Sequence, residues 1–132
     1  MQHLICTPLE AGILEIRLNR PDRLNAFTPA LIGELLDVFR GLQQDRQTRV
    51  VILTGEGKGF CSGADLAARG EQSALQQKGG SHRALQNYYN PLISQILRCP
   101  VPVVTAVNGA AAGVGCSIAL AGDFVLAAKS AY

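Results

Sequence analysis

The stretch Cys99-Pro100-Val101-Pro102-Val103-Val104-Thr105-Ala106-Val107-Asn108-Gly109-Ala110-Ala111-Ala112-Gly113-Val114-Gly115-Cys116-Ser117-Ile118-Ala119-Leu120-Ala121-Gly122 contains no charged side chain. Its 24 residues are enough to cross a bilayer as a helix. Pro100, Pro102, Asn108 and the glycines at 109, 113, 115 and 122 argue against one continuous helix. The composition also changes halfway, from β-branched Val103-Val104-Thr105-Ala106-Val107 to alanine and glycine. We read a buried strand, a turn at Asn108-Gly109 and a buried helix starting near Gly113, with no membrane span.

Upstream, the short apolar run Val50-Val51-Ile52-Leu53 reads as a strand covered on both faces. Leu14, Ile16 and Leu18 alternate with Glu15 and Arg17, the pattern of a half-buried strand. Leu4-Ile5-Cys6 is its expected hairpin partner across Glu10-Ala11-Gly12, and Asn19 to Arg23 reads as loop. Thr28-Pro29 is an N-cap followed by a proline at the first helical position. Leu31, Ile32, Leu35, Leu36, Phe39 and Leu42 then recur at helical spacing. A further helix is expected from about His82 to Leu97, on Leu85, Tyr89, Leu92, Ile93 and Ile96, with Pro100 ending it. Residues 67–81 carry little pattern and read as an excursion. Downstream, Phe124-Val125-Leu126 forms a last strand. Helices alternating with buried strands predict an α/β fold with a parallel sheet, without an internal repeat.

A chain of 132 residues is read as one domain, 1–132. Its 48% hydrophobic and 17% charged residues describe a folded chain and not a disordered one. The net charge of +2 comes from scattered basic residues, which argues against a nucleic-acid surface. Cys6, Cys61, Cys99 and Cys116 contain no C-x-x-C pair, and His3 and His82 are the only histidines. Neither a zinc site nor a disulfide framework fits that spacing. Free thiols in a reducing cytoplasm do, and the N-terminus has no signal-peptide pattern.

Two glycine-rich turns, each between a buried strand and a helix, are the candidate site. One is Gly59-Phe60-Cys61-Ser62-Gly63-Ala64-Asp65-Leu66; the other runs from Asn108 to Gly115. Small side chains there let a ligand reach free backbone N–H groups, and two such turns converging make an oxyanion site. For either turn alone, tight packing of small residues between helix and sheet is the preferred explanation. The nucleotide motifs fail, because Lys58 is followed by Gly59 and Ile118 stands where a third fingerprint glycine belongs. Gly59-x-Cys61-x-Gly63 has nucleophile-elbow spacing, but its base would have to be His82, and Gly55 to Lys58 separate it from the strand. The other reading of Cys61 is a small buried apolar residue.

Over its whole length the chain resembles the crotonase superfamily of acyl-CoA hydratases and isomerases. The resemblance rests on Leu18-Asn19-Arg20-Pro21 with Leu24-Asn25-Ala26, Leu53-Thr54-Gly55, Gly59 to Leu66, Pro102-Val103, Val107-Asn108-Gly109 and Ala112-Gly113-Val114-Gly115. It implies a spiral of β-β-α turns and an oxyanion hole made by the backbone N–H groups of Ala64 and Val114. Gly63, Gly113 and Gly115 frame that hole. It also implies that Ser62, Asp65 and Leu66 lie along the adenine and pantetheine of coenzyme A, with Arg23 and Leu24 approaching the same arm. The substrate is then a coenzyme A thioester, with no further cofactor, no metal, and a homo-oligomer (trimer or hexamer) for the complete protein.

Departures from the family pattern carry as much information. Hydratases of the family place a glutamate two residues after the last glycine of the second turn; here that residue is Ser117. The family's second acid and its C-terminal helices lie beyond the positions matched by Lys129-Ser130-Ala131-Tyr132, so the reading is a truncated chain, inactive by itself. Phe60-Cys61-x-Gly63-x-Asp65-Leu66, Tyr89-Asn90-Pro91-Leu92 and Ser117 resemble the branch that isomerises the ring epoxide of phenylacetyl-CoA. An isomerase in aromatic or fatty acyl-CoA breakdown is therefore expected, with a 2-enoyl-CoA hydratase or a non-catalytic acyl-CoA-binding fragment as alternatives. Asp65 is expected to cap a helix, and Asp123 to fix the turn into the last strand. Arg20 and Arg23 either meet coenzyme A phosphates or are solvated; Tyr88 and Tyr89 line an acyl pocket or belong to the core.

Overall fold

The computed structural model describes residues 2–64 and 89–132. Its centre is a five-stranded sheet in which chain order and spatial order coincide. The strands are β1 (Leu4–Pro8), β2 (Ile13–Leu18), β3 (Val50–Gly55), β4 (Val103–Val107) and β5 (Phe124–Ala127). β1 and β2 form the expected hairpin, antiparallel, with Cys6 opposite Ile16. β2, β3, β4 and β5 are mutually parallel, with Ile16 opposite Leu53, and Leu53 opposite Thr105.

Helix α1 (Pro29–Leu42) starts where the sequence signals it: the Thr28 hydroxyl accepts a 3.2 Å hydrogen bond from the Leu31 N–H, and Pro29 opens the first turn. Leu31, Ile32, Leu35, Phe39 and Leu42 are its buried stripe. Helix α2 (Asn90–Leu97) packs against α1 and buries Leu92 and Ile96. The part of this helix expected from His82 to Tyr88 lies outside the described residues, as does the excursion at 67–81. Helix α3 (Val114–Leu120) follows β4 and buries Ile118 and Ala119. The uncharged stretch is thus a strand, a turn and a short helix, and no described helix is long and apolar enough to cross a membrane.

The core joins Ile16, Leu18, Val51, Leu53 and Val103 from the sheet to Leu31, Leu35, Phe39, Leu92 and Ile118 from the helices. One expectation needs correcting. β3 is not covered on both faces among the described residues: Val51 and Leu53 are buried, but Val50 and Ile52 are only half-buried. The physical reason is that the described helices all contribute to the core on the Val51–Leu53 side. On the opposite face Arg17 pairs with Glu15 at 3.1 Å and with Glu56 at 3.3 Å.

Two side chains fix the end of the uncharged stretch. The Asp123 carboxylate accepts a 2.8 Å hydrogen bond from the Val103 N–H, so it ties the entry of β5 to the start of β4. The buried Thr105 hydroxyl donates to the Ala119 carbonyl at 2.6 Å and holds α3 against the sheet.

Candidate active site

Parallel strands place their carboxyl ends together, and both glycine-rich turns leave from that end of the sheet, after β3 and after β4. The turns then run beside each other. The N–H groups of Phe60 and Cys61 both donate to the Ala110 carbonyl, at 3.0 and 3.1 Å, and the Ala112 N–H donates back to the Cys61 carbonyl at 3.1 Å. Cys61 and Ala111 form a parallel bridge, and so do Phe27 and Ala64. The Phe27 N–H donates to the Gly63 carbonyl at 2.7 Å, which anchors the far side of the first turn to the entry of α1.

Gly63 has φ +104, and a Cβ built there would lie 3.0 Å from the Ala112 carbonyl oxygen. A side chain at this position would be both strained and wedged between the turns. The two N–H groups singled out in the sequence, those of Ala64 and Val114, sit on the rims of these adjoining turns. Neither donates to an acceptor among the described residues. Both residues are half-buried, while Ala112, Gly113 and Ser117 are exposed. Side chains around both N–H groups are small or absent, at Gly63, Ala112, Gly113 and Gly115.

The coenzyme A positions divide. Arg23 and Leu24 are brought to Ser62: the Ser62 N–H donates to the Leu24 carbonyl at 3.0 Å, and its hydroxyl to the Arg23 carbonyl at 3.4 Å. Gly113 and Gly115 join them through the second turn. Asp65 and Leu66, including the expected capping role of Asp65, lie outside the described residues. Arg20 and Tyr89 are tied into the fold. The Arg20 guanidinium donates to the Ala26 carbonyl at 2.5 Å, and the Tyr89 ring lies 6.3 Å from that of Phe27. Tyr88 is outside the described residues.

The cysteine elbow is not supported by its surroundings. Cys61 is fully buried in the core, and burial pushes its thiol up to about 12, opposed only in part by the Gly63 N–H. A nucleophilic cysteine needs the reverse, a lowered pKa and access to substrate. Its proposed base, His82, lies outside the described residues. Among the described residues, no three His, Cys, Asp or Glu side chains gather into a metal-binding group.

Sequence reasoning missed the side chains that hold the first turn. Asn25 reads in the sequence as part of a family motif and Asn108 as the turn that ends a strand, yet both donate to the Gly59 carbonyl, at 2.9 and 3.2 Å. An asparagine at the root of a glycine-rich loop was the available signal; its partner more than thirty residues away was not.

A sequence profile described as enoyl-CoA hydratase/isomerase matches residues 9–132. The chain belongs to the enoyl-CoA hydratase/isomerase family. It is 38% identical over 131 residues to the 1,2-epoxyphenylacetyl-CoA isomerase of Escherichia coli K12, covering 99% of this chain and 50% of that protein. Among solved structures, an enoyl-CoA hydratase from Bacillus anthracis superposes with a TM-score of 0.88 at 34% identity, covering 98% of this chain and 49% of the other. A monofunctional enoyl-CoA isomerase from M. smegmatis gives 0.78 at 32% identity, covering 99% and 52%. The α/β fold is thus that of the crotonase-like enzymes. The chain spans about half the length of these family members, and they carry both hydratase and isomerase names.

Proposed function

We propose that this chain is the acyl-CoA-binding, enolate-stabilising unit of an acyl-CoA isomerase. The observation that carries the reading is the pair of N–H groups, Ala64 and Val114, that donate to no acceptor among the described residues, on turns packed against one another at Gly63 and Ala112. In this reading both N–H groups donate to the thioester carbonyl oxygen of the substrate. Loss of the α-proton moves charge onto that oxygen, and the two donors bind the enolate more strongly than the ground-state carbonyl. Removing one such donor typically costs about 10²–10³ in rate. Arg23, Leu24 and Ser62 lie along the coenzyme A arm, with Asp65 and Leu66 continuing it.

Isomerisation is favoured over hydration because Ser117, two residues after Gly115, cannot serve as a carboxylate base. Five of the described carboxylates have partners within the fold. Glu15 and Glu56 bind Arg17, Glu34 accepts from the Gln2 and His3 N–H groups, Asp45 from Gln47 and Thr48, and Asp123 from Val103. In this reading the 132 residues bind acyl-CoA with negligible turnover, and a family-length protein supplies the proton-moving acid. The similarity to the Escherichia coli isomerase supports an epoxidised phenylacetyl-CoA or related acyl group as substrate. The similarity to the Bacillus anthracis enzyme supports the second reading, a 2-enoyl-CoA hydratase. The unit is one domain that needs no cofactor beyond the thioester. It works in a reducing cytoplasm, where Cys6, Cys61, Cys99 and Cys116 stay unpaired, and assembles as a homo-oligomer (trimer or hexamer) when complete.

Two measurements test the proposal. Millimolar acetyl-CoA or phenylacetyl-CoA should raise the melting temperature of the folded chain by mass action; no shift would remove the binding site. A family-length protein should isomerise acyl-CoA substrates far faster than it hydrates crotonyl-CoA. Rapid hydration would instead select the second reading.

A further inference from the structure

From the hydrogen bonds around Gly59, we infer that Asn25 and Asn108 are positioning residues that set the relative placement of the two donor turns. The inference rests on the reading of Ala64 and Val114 given above. Asn25 is fully buried with φ +56, a conformation asparagine tolerates better than most residues. Its Oδ1 accepts from the Arg20 N–H at 2.8 Å, and its Nδ2 donates to the carbonyls of Glu56 at 3.0 Å and Gly59 at 2.9 Å. Asn108 stands at the root of the second turn and reaches the same loop. Its Nδ2 faces the carbonyls of Gly55, Gly57 and Gly59 at 2.9, 3.0 and 3.2 Å, and its Oδ1 accepts from the Gly55 N–H at 3.2 Å.

Both carboxamides thus converge on one atom, the carbonyl oxygen of Gly59. From that atom the chain reaches the first donor in a few residues, through Phe60 and Cys61, which bond to Ala110, and then Ser62 and Gly63. In the other direction Asn108 is two residues from Ala110 and leads to Val114. Gly59 is therefore a shared origin for both donors. A loop with three glycines between 55 and 59 has little conformational preference of its own. The asparagines replace that missing preference with hydrogen bonds. Because a misplacement of about 1 Å can cost roughly 10²-fold in rate, holding this origin matters for polarising a carbonyl and not only for folding.

A purely structural role and a positioning role differ in what the bound carbonyl reports. The test is the infrared stretch of acetyl-CoA labelled with ¹³C at the thioester carbonyl, bound to the chain, to Asn25→Asp, to Asn108→Ser and to Thr28→Ala. Asn25→Asp keeps the acceptor for Arg20 but replaces the amide donor, and Thr28→Ala weakens α1 without touching either turn. The wild type should shift the band to lower wavenumber. Each folded asparagine variant should lose at least half of that shift while coenzyme A affinity changes only a few-fold, and Thr28→Ala should keep all of it. A full shift in either folded asparagine variant overturns the inference. So does finding that neither asparagine variant folds, since the side chains would then be needed for folding alone. Absent binding or absent shift in the wild type counts against Ala64 and Val114 as donors, and so separates failure of that reading from failure of this one.

Discussion

The carbonyl oxygen of Cys61 occupies the space in which a side chain on Gly115 would begin. This contact presses the two turns together at the first turn of α3, and no larger residue fits between them. Gly115→Ala should therefore destabilise the protein by about 1–3 kcal/mol through overpacking, a fall of several degrees in melting temperature. Gly33 is the matched control: it lies within α1 and a Cβ there meets nothing within 4 Å. Gly33→Ala should stabilise by about 0.4–1 kcal/mol. Equal stability of Gly115→Ala and wild type in thermal denaturation would contradict the packed contact.

Cys61 gives a pH signature. Its folded pKa is raised from 9.0 to about 12, mainly by burial. Below pH 9 the thiol is protonated whether folded or unfolded, so it contributes nothing that varies with pH. As pH rises from 9 towards 12 the unfolded chain releases this proton and the folded chain keeps it, so stability is lost. The stability difference between wild type and Cys61→Ala should be flat below about pH 8. Above pH 9 it should fall by up to about 1.4 kcal/mol per pH unit. Urea titrations across this range check it; a difference that stays constant to pH 11 would mean the thiol is accessible.

Thr28 caps α1 by accepting from the Leu31 N–H. Thr28→Ala should cost about 1 kcal/mol of stability and leave acyl-CoA affinity unchanged, because neither turn is touched. Calorimetric melting and a binding isotherm on the same sample separate the two effects. A large loss of affinity would show that α1 is coupled to the turns more strongly than the Phe27–Gly63 bond and the Phe27–Ala64 bridge convey.

Most of the framework was legible because its signals are local. Thr28-Pro29, the helical spacing from Leu31 to Leu42 and the alternation at Leu14, Ile16 and Leu18 each lie within a short window, and each element formed where expected. The uncharged stretch was also readable, since its prolines and glycines exclude a continuous helix. The face exposure of β3 was not, because whether Val50 and Ile52 are covered depends on elements distant in the chain. The site showed the same division. The two turns could be picked out from their glycines, and Ala64 and Val114 could be named only through the family resemblance. The joint bonding of Asn25 and Asn108 to Gly59 spans 34 and 49 residues and leaves no local pattern.

The central claim is that the Ala64 and Val114 N–H groups receive a thioester carbonyl. It is tested most directly by ¹⁵N-edited amide spectra of the chain titrated with acetyl-CoA, and separately with the thioether S-ethyl-CoA, which lacks the carbonyl. Both ligands should perturb residues along the coenzyme A arm, such as Arg23, Leu24 and Ser62. The Ala64 and Val114 amide protons should move downfield with acetyl-CoA and stay nearly unmoved with the thioether. Equal shifts of these two amides with both ligands, or none with either while the Arg23–Ser62 region responds, would contradict the claim.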